Sequence, residues 1–169
     1  GRIVPCAALC VGTMGIAIAQ APEPIDYLDD RSSGVATIRS LYNAVNRQEY
    51  LRAFSYFSAA YQEPDAETLE EAYRVFADGY GQTESVTLLL GEESEEGAAG
   101  STYFTVPVAI EATNESGAVE RFAGCYVLRL TQPAIQDAPP FRPLTIESGH
   151  LVPADGALEA ILPDECPEG

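Results

Sequence analysis

The chain has one histidine, His150, and four cysteines, so imidazole or thiolate chemistry must use very few residues. Cys125 and His150 could form a nucleophilic pair, with the imidazole lowering the thiol pKa. A bond from Cys125 to Cys166 competes directly with that pair and would remove the nucleophile. A single histidine and separated cysteines do not make the tetrahedral set that zinc requires. Glu92, Glu93, Glu95 and Glu96 offer oxygen ligands. They lack the alternating Asp/Asn spacing around a central glycine that wraps calcium, so the run reads as a solvated loop. No metal and no cofactor is expected. Glu147 and His150 share a strand-like run but differ by an odd number, which puts them on opposite faces unless a bulge, for example at Gly149, changes the phase. The sequence contains no Gly-rich phosphate loop, no Gly-x-Ser-x-Gly elbow and no His-Glu-x-x-His.

The elements that would hold these residues belong to a chain of 169 residues, enough for one sizeable core. It carries 26 Asp+Glu against 9 basic residues, all arginine, for a formal charge of −17. Such a charge repels polyphosphate and excludes nucleic acid as a partner. The apolar fraction of 46%, with nine Tyr and six Phe, is too high for a disordered acidic tail. Residues 1–19 read as a signal peptide: Arg2, then an apolar stretch, then Ala17-Ile18-Ala19 as a small–x–small cleavage site. A retained anchor and a lipid on Cys10 are the competing readings; about 17 apolar residues rich in Gly and Ala lie at the lower limit for spanning. Cleavage leaves no membrane span and an exported protein, periplasmic, secreted or bound to the cell envelope. It also leaves two cysteines, Cys125 and Cys166. One disulfide is then the economical reading, with two unpaired buried thiols as the alternative.

Residues 20–32 form an acidic, proline-containing leader, expected to be flexible. Ser32 or Ser33 can cap a helix with apolar positions Val35, Ile38, Leu41, Tyr42 and Val45. Asn46 and Glu49 have the spacing of a cap pair for a second short helix, with the stripe Tyr50, Ala53, Phe54, Phe57 and Tyr61. Pro64-Asp65 opens a third, buried through Leu69, Ala72, Tyr73 and Phe76 and ended at Gly79 or Gly81. From Ser85 the period becomes two. Val86–Leu90 is a short strand, 91–97 an acidic loop, and Thr102–Ala112 a strand with Phe104, Val106, Val108 and Ile110 on one face. Asn114-Glu115-Ser116-Gly117 turns it into the strand Ala118–Leu130, where Phe122, Tyr126, Leu128 and Leu130 share a face. Pro107 inside a strand argues for an edge or a bulge. A proline-rich loop over 131–143 leads to a last strand, Leu144–Val152, and a proline-rich tail from residue 154 to 169. Helices followed by an antiparallel meander predict an α+β domain, N-terminal helices packed on a curved antiparallel sheet of about four main strands.

The run Ser40-Leu-Tyr-Asn-Ala-Val-Asn-Arg-Gln-Glu-Tyr-Leu-Arg-Ala-Phe-Ser-Tyr-Phe57 resembles the opening of nuclear transport factor 2-like domains. Phe76-Ala-Asp-Gly-Tyr80 before Ser85-Val-Thr-Leu is similar to that family's entry into its sheet. The resemblance spans residues 33–153 and implies a cone with a pocket between helices and sheet. It implies no single function, because the scaffold hosts isomerases, cyclases, dehydratases and non-catalytic binding modules. On that scaffold Tyr42 suits a cavity-facing tyrosine, Asp78 ends the third helix, and Glu147 and His150 lie on the last strand. A desolvated carboxylate there could act as a general base and a tyrosine hydroxyl could hold an enolate.

These residues predict a non-catalytic binding or interaction domain for an apolar small molecule or a protein partner. Its pocket candidates are Tyr42, Phe54, Tyr73, Phe104, Tyr126 and Glu147. The alternatives are a small lyase or isomerase using Tyr42 with Asp78 or His150, and a self-associating domain forming a homodimer through its sheet face.

Overall fold

A computed structural model describes residues 23–59 and 66–167. The leader expected over 1–19, together with Tyr61 and the Pro64-Asp65 helix start, lies outside these residues.

Ser33 caps helix α1 (Gly34–Asn46), its side chain accepting from the Ala36 N–H. The heptad-like spacing buries Ile38, Leu41, Tyr42 and Val45. The chain breaks at Gln48, which has a positive φ of 59°, and re-enters α2 (Tyr50–Phe54). The expected Asn46–Glu49 cap pair is not formed. Glu49 makes no side-chain cap bond and instead accepts from Arg47 and Arg52, both at 2.6 Å. The Asn46 amide bonds the Val86 N–H (2.7 Å) and C=O (2.9 Å), pinning α1 to the first strand. Helix α3 (Leu69–Gly79) starts at Thr68, whose hydroxyl accepts from Glu71 N. Of the stripe predicted for it, Ala72 is buried, but Leu69 is 65% exposed.

Five antiparallel strands follow: β1 (Thr83–Leu90), β2 (Ser94–Ala98), β3 (Ser101–Asn114), β4 (Val119–Thr131) and β5 (Thr145–Pro153). Their order is β1-β3-β4-β5, with β2 pairing the first half of β3 beyond the end of β1. The stretch expected as a loop over 91–97 therefore contains a strand. Its side chains are exposed and only its backbone is paired, so hydropathy carries no sign of it. Pro107 lies in a central strand, opposite Cys125 of β4. On its other side β1 hands over to β2, and Pro107 C=O accepts from Gly91 N there. The missing N–H faces that gap, where no ladder bond is lost.

The helices cover one face of the sheet. Val106, Val108, Ile110, Tyr126, Leu128 and Ile146 meet Ile38, Leu41, Val45 and Phe57 in a single core. The fold class is the expected α+β arrangement. After β5 the tail does not leave the domain: a short helix, α4 (Leu158–Ile161), packs on the opposite face of β3 and β4. Beneath it Ala109 and Ala123, a cross-strand pair, are buried at 0% and 8% exposure.

Residues 23–31, expected to be flexible, run extended along α1 and α2. Asn43 reads their backbone twice, accepting from Leu28 N (3.0 Å) and donating to Asp26 O (2.7 Å). Ser40 accepts from Asp30 N, Arg52 donates to Leu28 O, and Arg47 donates to Ile25 O. Among the described residues no helix is long and apolar enough to cross a membrane.

Candidate binding site

The apolar pocket candidates come together as packing between the helices and the sheet. The Tyr42 and Tyr126 hydroxyls stand 2.7 Å apart, with the two residues 3% and 6% exposed. Tyr126 reaches this position across Gly149, its cross-strand partner. A Cβ at residue 149 would stand 2.5 Å from the tyrosine ring, so glycine is needed for the close approach. Phe54 is buried against Tyr73 (5.6 Å between ring centroids) and Phe76 (5.3 Å). Phe104 is half-buried at the edge of the same core.

The polar candidates do not join them. Asp78 is exposed near the end of α3. The bulge that strand parity required exists, but at Glu147, between Leu128↔Ile146 and Val127↔Ser148, rather than at Gly149. Glu147 accepts from Ser58 Oγ at 3.2 Å. His150 is exposed and pairs with Cys125, on the sheet face turned away from Tyr42. Cys125 and His150 are thus cross-strand neighbours, but the Cys125 sulfur is bonded to Cys166, with a Cα–Cα distance of 6.0 Å. As long as that bond stands, Cys125 offers no thiolate.

The outer face carries an apolar cavity of about 450 Å³. Its floor is Ala123 and Cys125 of β4 with His150 and Val152 of β5; its far wall is Ile161, Pro163, Glu165 and Pro167 of the tail. The lining is apolar except for His150 and Glu165. Across the tail lies a more polar cleft of about 580 Å³, bordered by Glu92, Thr105, Pro107, Asp164, Glu165 and Cys166. Neither tail wall had been assigned to a site from the sequence. The signal lay in Cys125, whose odd-numbered face a bonded Cys166 must share. The face that a sheet-to-sheet homodimer would use is covered in part by this tail.

A polar network holds the 23–31 arm. The Tyr56 hydroxyl donates to Asp29 (2.7 Å), Arg52 reaches Tyr56 and Asn43, and the Arg31 guanidinium stacks on the Tyr56 ring at 4.3 Å. Burial raises the Asp29 carboxyl, but the Tyr56 hydrogen bond, the Arg31 charge and bonds from Tyr27 and Arg31 outweigh it and hold it below 3.8. Tyr56 is pushed up from 10.0, by burial first and then by its bond to Asp29. Glu49 is lowered, first by its bond to Arg47. These groups all serve the docked arm, away from the outer cavity. Among the described residues no three His, Cys, Asp or Glu side chains gather as a metal site.

No family model and no curated protein matches the chain. Among solved structures it is similar to a nuclear transport factor 2-like family protein from Streptomyces avermitilis, proposed to be a dehydratase. The two share 16% identity over 71% of this chain and 93% of the other, with a TM-score of 0.46.

Proposed function

We propose that the protein is an exported, non-catalytic binding domain that takes an apolar small molecule in the cavity on the outer face of its sheet. One observation carries this reading: an apolar cavity of about 450 Å³ lies on the outer face of the sheet, between β4–β5 and the tail. Its volume falls within the range of about 300–1,000 Å³ usual for small-molecule sites. Tyr42 and Tyr126 are buried between helices and sheet with their hydroxyls 2.7 Å apart, and the groups that acid–base chemistry would need, Tyr42, Asp78 and His150, stand in three separate places. The ligand is neutral or cationic. A net charge of −17 and Glu165 at the wall both oppose an anion. Export rests on the apolar leader pattern before Gln20 and agrees with a disulfide-bonded mature domain.

The test uses Nile red, a neutral apolar dye, with the mature protein. Val152 lines the cavity yet is 47% exposed, so V152W fills the cavity without disturbing the core. Saturable binding by the native protein, weakened at least tenfold in V152W, is the expected result. No saturable binding by the native protein, or equal binding by V152W, would sink the reading. Native mass spectrometry of the purified protein then identifies any ligand carried through purification.

A further inference from the structure

The wall between the two clefts is held in an unusual way. The tail is tied to the sheet near its start, where Ala154 N donates to Arg121 O. Within α4 the last backbone bond is Leu162 N to Leu158 O. From Pro163 to Pro167, among the described residues, no hydrogen bond or ion pair reaches the body of the domain. The Cys125–Cys166 bond is the tie that remains, closing a sequence separation of 41. Glu165 and Pro167 border both clefts, so one short segment forms the wall of each. Cys125 opens onto the first cleft and Cys166 onto the second, and neither residue is fully buried. A reductant therefore has access from either side.

We propose that the Cys125–Cys166 disulfide is a redox clasp that gates the outer-face cavity; this rests on the reading of that cavity as the ligand site. The oxidised clasp holds Pro163, Glu165 and Pro167 over β4–β5, and the ligand is enclosed. The reductant is an external dithiol. One of its thiolates attacks a sulfur of the pair, forming a mixed disulfide and releasing the other cysteine. Its second thiol then displaces the first cysteine. Two electrons and two protons end on Cys125 and Cys166, and the reductant leaves as a cyclic disulfide. With the covalent tie gone, the five-residue segment swings from the sheet and the cavity loses one wall.

The experiment measures Nile red binding and amide hydrogen exchange on the mature protein, oxidised and after dithiothreitol, with C166S alongside. Oxidised protein should bind, and reduction or C166S should weaken binding at least tenfold. Exchange across 158–167 should rise at least tenfold while α1 and β3 stay protected, which separates opening of the tail from unfolding. Equal binding and unchanged tail exchange after reduction overturn the clasp and leave the cavity reading standing. A rise in tail exchange with no dye binding in either form overturns the ligand site and leaves the clasp. Global loss of protection on reduction, in the native protein as in C166S, overturns the gate in favour of a purely structural crosslink.

Discussion

Two side chains show how polar groups set this fold. Asn46 sits at the end of α1 and completes both backbone groups of Val86 on β1, which among the described residues is an edge strand with no strand on its outer side. Replacing it with alanine leaves a half-enclosed N–H and C=O without that partner. N46A should lose about 2 kcal/mol of stability in urea unfolding. A loss under about 0.5 kcal/mol would mean that water replaces the amide freely. Asp29 makes the corresponding argument about pH. Its folded pKa lies below the ordinary value, so its contribution is complete above the unfolded pKa of about 3.9 and disappears as pH falls through the folded value. Tyr56 has the opposite sign: raised in the fold, it contributes below about 10 and is lost as pH climbs through its folded pKa. The groups facing Asp29 are Tyr27 and Arg31 from the arm and Tyr56 from beyond α2, with Arg52 bonded to the same tyrosine. Hydrogen exchange of residues 25–30 should accordingly rise below the carboxylate range, before β3 opens. D29N should flatten that acid response; an arm in D29N that still loosens with the native pH profile would assign it to other carboxylates.

At the scale of elements, α3 separates periodicity from burial. Leu69, Ala72, Tyr73 and Phe76 have helical spacing, and the lower three turn toward α2, where Phe54 packs edge-on against Tyr73 and tilted against Phe76. The first turn overhangs its partner, so Leu69 stays 65% exposed. L69A should change stability by less than about 0.5 kcal/mol. T68A, one residue earlier, should cost about 1 kcal/mol because the Glu71 N–H loses its cap. Thermal denaturation of the two variants gives the order directly, and a larger loss from L69A would reverse the account. The same contrast explains what was legible beforehand. Period-two alternation in β3 and β4 marked the sheet and its core face, and the Asn114–Gly117 turn marked the hairpin. Strand β2, with Ser-Glu-Glu-Gly-Ala, was invisible because it is held by backbone pairing alone. The docking of the arm was not legible for a related reason: its acidic, proline-containing sequence is typical of a solvated leader. What docks it is the backbone-reading Asn43, Arg47 and Arg52 on another element. Of the residues around the outer-face cavity, Cys125, Cys166 and His150 were singled out, whereas the pocket expected from the sequence lay between helices and sheet, on the other face.

For the whole molecule, the outer-face cavity follows from two facts taken together. Cys125 shares its face with Ala123, opposite Tyr126, and a bond to Cys166 must bring the tail to that face. The small Ala109–Ala123 pair then leaves room for α4 to lie down. Charge acts at the same scale. Arginines 31, 47, 52, 74 and 121 are engaged in ion pairs, but 26 acidic residues face only 9 basic ones. Most carboxylates therefore meet other carboxylates through solvent, and compaction works against that repulsion. At 0.01 M ionic strength the Debye length is about 30 Å, comparable to the domain, so acids on all sides repel one another. At 0.15 M it is about 8 Å and only near neighbours do. The ion pairs pull the other way, since screening weakens them, but partly exposed pairs contribute at most about 1 kcal/mol each. The repulsion involves many more pairs, so it dominates and added salt stabilises. Raising sodium chloride from 0.01 to 0.3 M at pH 7 should lift the melting temperature by several degrees, since about 1 kcal/mol corresponds to about 2–4 °C in a domain near this size. A melting temperature that falls with salt would place the Arg47–Glu49–Arg52 cluster, rather than the net charge, in control of stability.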